Sequence, residues 1–68
     1  MIVKKLTAEQ AQSLYGQTFA NDAYFNPIQD VNDNWVISMQ EADGCDNEAF
    51  AWVKDLPEII FEPKPFVM

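Results

Sequence analysis

Asp30, Asn32, Asn34, Ile37 and Glu41 fall at the first, third, fifth, eighth and twelfth places of a run counted from Asp30. That spacing sets oxygen ligands on alternate residues around a calcium ion and closes the shell with a bidentate carboxylate, as in an EF-hand loop. Two residues speak against it. The sixth place needs a glycine for its sharp turn, and Trp35 stands there, where an indole carries a steric cost. Pro27 breaks the helix that should lead into such a loop. The run Asp30-Val31-Asn32-Asp33-Asn34 therefore reads as a hairpin turn, since Asn and Asp tolerate the left-handed conformation.

A second acidic group comprises Glu41, Asp43, Asp46 and Glu48. Carboxylates so spaced could hold a divalent cation weakly or act as an acid/base pair. The simpler expectation is a solvated loop that leads into a helix cap. Cys45 lies inside this group, and surrounding carboxylates raise a thiol's pKa, the reverse of what a nucleophile needs.

Composition narrows the chemistry further. Eleven Asp and Glu face four Lys, with no His, for a net charge of −7 over 68 residues, and the sequence holds no Arg. Without His there is no ordinary general base and no near-neutral pH switch. Without Arg there is no bidentate clamp for carboxylate or phosphate. No enzyme activity, cofactor or dedicated metal site is expected. Lys4, Lys5, Lys54 and Lys64 are dispersed, so direct binding to nucleic-acid phosphates or to an anionic membrane is not expected either. The single cysteine rules out an internal disulfide and suits a reducing compartment. Met1-Ile2-Val3 gives way at once to Lys4-Lys5, and no run approaches the ~20 apolar residues of a membrane span. The expected location is the cytoplasm.

The elements that position these residues follow from patterning. The expectation is a single α+β domain with a small antiparallel or mixed sheet and two short helices. Thr7 and Gln10 form a capping box, flanked by a Leu6/Ala11 staple. Ala8, Ala11, Leu14 and Tyr15 form an apolar stripe, and Gly16 supplies a stop. This predicts a helix over 8–16. Residues 17–23 read as a loop. A hairpin is expected over about 24–40, with Trp35, Ile37 and Met39 sharing one face. Asp46 reads as the N-cap of a second helix over 47–56, where Ala49, Trp52, Val53 and Leu56 make an α-helical stripe that turns Trp52 to the core. A strand is expected over 58–62, bounded by Pro57 and Pro63. Residues 1–6 form a further strand or a docked terminus.

The chain is 49% apolar, with two Trp, five Phe and two Tyr. That is ample for a core, although a chain this short buries only about 60% of its unfolded surface. Packing against a second copy or a partner would supplement it. Phe50 falls off the α-helical stripe, Phe61 lies on a terminal strand, and Phe66, Val67 and Met68 end a Pro-x-Pro tail; these five are the interface candidates. The leading functional expectation is a non-enzymatic interaction module that binds a protein partner or itself as a homo-oligomer. An acidic mimic of nucleic acid, seated in a basic partner, is the alternative. A weak divalent-cation-binding domain ranks third. No motif points to a small-molecule ligand.

Overall fold

The computed structural model describes residues 1–65. The chain runs β1 (Ile2–Leu6), α1 (Ala8–Leu14), β2 (Thr18–Ala20), β3 (Ala23–Tyr24), β4 (Ile28–Gln29), β5 (Trp35–Ser38), α2 (Met39–Asp43), a 3₁₀ helix (Glu48–Asp55) and β6 (Glu58–Ile60). The fold is α+β. A four-stranded sheet has the order β4-β5-β1-β6, every pairing is antiparallel, and β2–β3 make a separate two-stranded sheet. Residues 1–6 thus supply a central strand.

Register sorts the side chains into two layers, because strand neighbours share a face and successive residues alternate. Leu6 lies opposite Trp35, Lys4 opposite Ile37 and Glu58, and Ile2 opposite Ile60. This face meets the helices. Leu6 and Ile37 join Ala11 and Leu14 of α1, Ala42 of α2, Val53 and Leu56 of the 3₁₀ helix, and Phe25 and Cys45 in one buried cluster. The other face carries Val3 and Val36, both buried, beside Ile28 and Ile59. After β6 the chain runs from one sheet edge to the other. The Glu62 carbonyl accepts from Val31 N–H at 2.8 Å, and Lys64 Nζ meets Asp33 Oδ1 at 2.8 Å.

The Thr7 cap forms as read. Its Oγ1 accepts from Gln10 N–H at 3.1 Å, and Gln10 Oε1 accepts from Thr7 N–H at 2.8 Å. The helix stops at Leu14, and Gly16 takes φ +76°, where a β-carbon is disfavoured. Four expectations are corrected. Residues 17–23 hold β2 and the start of β3, joined through Asn21 at φ +35°. Tyr24 belongs to that small sheet, so the main hairpin begins only at Ile28. Met39 leaves the β5 strand to open α2, because Ser38 and Glu41 form a second capping box. β6 ends at Ile60, two residues short of the expected end, and Phe61 and Glu62 begin the crossing.

The segment after Cys45 differs most. It is a 3₁₀ helix over Glu48–Asp55, kinked at Phe50 (φ −123°, ψ 22°), and its N-cap is Asn47 in place of Asp46. Asn47 Oδ1 accepts from Ala49 N–H, while its Nδ2 donates to the Thr18 carbonyl. Three residues per turn bring Phe50, Val53 and Leu56 to one side. Val53 and Leu56 are buried, Phe50 and Trp52 are half-buried against the core, and Ala49 is exposed. Among the described residues, no helix is long and apolar enough to cross a membrane.

Candidate functional site

The two carboxylates that opened and closed the calcium-like run serve the backbone. Asp30, only 2% exposed, accepts from Asn32 N–H and Asn34 N–H at 2.9 Å each through Oδ1, and from Asn34 Nδ2 at 3.2 Å through Oδ2. Those bonds fold the chain into the β4–β5 turn, with Asp33 at φ +62°. Burial pushes the Asp30 carboxyl up, but the Asn34 and Asn32 hydrogen bonds and the Lys5 charge outweigh it, so its pKa lies below the ordinary 3.8. Glu41 is buried as well. Its Oε2 accepts from Ser38 N–H and Oγ, and its Oε1 from Asn26 N–H, so one side chain starts α2 and ties it to the segment before Pro27. Asp43, Asp46 and Glu48 are exposed. Among the described residues, no three His, Cys, Asp or Glu side chains gather in a metal-binding arrangement. Cys45 is buried, with its thiol 3.6 Å from the carbonyls of Asn47 and Phe50, a packing role.

The interface candidates separate. Phe50 turns inward at the kink: its ring lies 5.8 Å from Phe25 and 6.2 Å from Trp52, centre to centre. Off an α-helical stripe, Phe50 still shares a side with Val53 and Leu56 at three residues per turn. Phe61 is half-buried and donates its N–H to the Met1 carbonyl at 2.7 Å. It borders a cleft of about 340 Å³, lined also by Met1, Val3, Ile28, Val36 and Glu41 of α2. Phe66, Val67 and Met68 lie outside the described residues.

The expected strand after Pro57 does lie at a sheet edge, and beside it sits an apolar pair that the sequence reading did not name. Ile2 and Ile60 are cross-strand partners, 44% and 65% exposed, and Met1 beside them is largely exposed. The sequence does hold a signal for it. In Glu58-Ile59-Ile60-Phe61, a period of two cannot turn both isoleucines the same way. Ile59 is half-buried and Ile60 faces out.

Backbone groups complete the surface. Lys5 N–H donates to the Pro57 carbonyl, and Phe61 N–H to the Met1 carbonyl. Alternation then points the N–H and C=O of Glu58 and Ile60 away from β1, along the outer edge of the sheet. The Glu58 carboxylate is exposed and pairs with Lys4 Nζ at 3.1 Å. Lys4 itself is buried and also donates to the carbonyls of Lys54 and Leu56. The cation is therefore hidden beneath, and the anion is displayed.

No protein-family model matches the chain, and neither the curated proteins nor the solved structures compared with it gave a match.

Proposed function

We infer that this chain is a non-enzymatic protein-association module that works through the apolar end of the β1–β6 pair. The observation that carries this reading is the exposed Ile2–Ile60 pair beside Met1, on the last strand of the sheet order, which among the described residues pairs with β1 alone. Apolar side chains that cost solvation when exposed, next to unpaired backbone groups, form a surface that gains from being covered. The titratable candidates lend no competing support, since Asp30 and Glu41 are committed to backbone N–H groups. The eleven carboxylates are spread over helices, turns and β6, so the nucleic-acid-mimic reading has no observation of its own.

The test uses salt to expose the apolar attraction. At low salt a net charge of −7 keeps copies apart. At about 0.5 M NaCl the screening length drops to a few ångströms. Sedimentation equilibrium is then expected to show concentration-dependent self-association of the wild type and none for the Ile2→Ser, Ile60→Ser double variant. Identical monomeric behaviour of both proteins at every salt and protein concentration overturns the reading.

A further inference from the structure

We propose that the β6 edge receives an extended, basic segment of a partner protein as an added strand, with Lys or Arg alternating with apolar residues. The proposal rests on the association reading above and names the partner's chemistry.

Three features of the edge select that occupant. First, the backbone groups of Glu58 and Ile60 point outward, as fixed by the bonds of Pro57 and Phe61 to β1. The chain just beyond the opposite edge strand is already engaged, because Val31 N–H is taken by Glu62. An incoming strand thus has a ladder to extend at β6, as in β-strand addition. Second, Ile60 and its neighbour Ile2 offer an apolar contact on the face that carries Glu58, so the partner needs apolar residues there. Third, Glu58 shares that face and stays exposed, while its ion-pair partner Lys4 is buried. A second copy would bring its own Glu58 and its own −7 charge to the same edge, and like charges across paired strands destabilise the pairing. A basic strand meets opposite charge at that position, and the acidic surface accelerates its approach. Pro57 and Pro63 bound the open stretch, so the ladder is short and side-chain charge decides the partner.

The experiment follows backbone amide signals of the labelled protein by NMR. Two capped heptapeptides are added, one alternating Lys with Val and Ile and one alternating Glu with Val and Ile. The basic peptide, added to about 1 mM, the weak end of useful affinities, is expected to shift the Glu58 and Ile60 amides and slow their hydrogen exchange. The acidic peptide is expected to leave them unmoved. Glu58→Gln, which keeps an oxygen acceptor for Lys4, should weaken basic-peptide binding by about two- to fivefold, the range of an exposed ion pair, and Glu9→Gln on α1 should not. Raising salt should weaken it further. Unmoved Glu58 and Ile60 amides overturn the proposal, as does an equal effect of Glu9→Gln and Glu58→Gln, which would indicate diffuse attraction. If the peptide fails while wild-type self-association at high salt is still abolished by the Ile2→Ser, Ile60→Ser variant, the partner chemistry is wrong and the association reading stands. If that variant changes neither assay, both fall.

Discussion

At the scale of single residues, Asp30 and Gly44 carry costs that their neighbours define. Asp30 is held ionised by the hydrogen bonds of its own turn, with its folded pKa below the ordinary value. A carboxyl whose folded pKa is lowered contributes stability that is fully present above its unfolded pKa and is lost as pH falls through the folded one. Acid titration followed by circular dichroism should therefore show this contribution intact at pH 5 and lost progressively below about pH 4. Asp30→Asn should remove that part of the pH dependence while lowering stability at neutral pH. An unchanged acid limb in Asp30→Asn removes the assignment. Gly44 ends α2 with its N–H donated to the Gln40 carbonyl at 2.9 Å. A β-carbon there would stand 2.8 Å from that same carbonyl oxygen and 3.7 Å from the Phe19 ring. The backbone has to shift, so Gly44→Ala is expected to cost about 1–3 kcal/mol in urea unfolding. The contrast is Gly16, whose β-carbon would meet nothing within 4 Å. Gly16→Ala is disfavoured only by its positive φ, by roughly 1–2 kcal/mol.

At the scale of elements, legibility depended on whether a local signal acted alone. The Thr7–Gln10 box and Gly16 bracket α1, and nothing in the tertiary structure overrides them, so the helix was readable to within two residues of its end. Ser38 and Glu41 carry the same box, but Trp35 to Met39 also read as a strand, and the box decides where β5 stops. The 3₁₀ segment was misread because its apolar residues satisfy two periods. Ala49, Trp52, Val53 and Leu56 fit 3.6 residues per turn, whereas Phe50, Val53 and Leu56 fit 3.0. The structure follows the second, with Phe50 set against Phe25. The Ile2–Ile60 contact was hidden for another reason: it needs the pairing of residues 58 positions apart, which no local pattern encodes. The 3₁₀ period has a measurable consequence. Val53 is fully buried and Ala49 exposed, so Val53→Ala should cost about 1–3 kcal/mol. Ala49→Ser should change stability by less than about 0.5 kcal/mol. A regular α-helix with Ala49 in its buried stripe would raise the cost of the serine.

At the scale of the whole molecule, charge sets the conditions under which the fold is most stable. Eleven carboxylates and four lysines give the net −7, and one lysine, Lys4, is consumed inside by Glu58 and the carbonyls of Lys54 and Leu56. Self-repulsion is larger in the compact state than in the expanded chain, so it opposes folding. Added salt screens this repulsion over distances beyond about 10 Å at 0.1 M. The Lys4 cluster, buried and closely spaced, is screened much less than the surface charges. The midpoint of thermal unfolding should consequently rise between about 0.02 and 0.3 M NaCl. For a domain of this size, about 1 kcal/mol corresponds to roughly 4–8 °C. Lys4→Met tests the same account from inside. It leaves the Lys54 and Leu56 carbonyls without their donor and makes the net charge more negative. The variant should be less stable than wild type at both salt concentrations, and its midpoint should rise more steeply with salt. A midpoint that falls with added salt in the wild type would show that attractive pairs, and not the net repulsion, dominate the electrostatics. The high-salt association proposed above would then need a source other than screening.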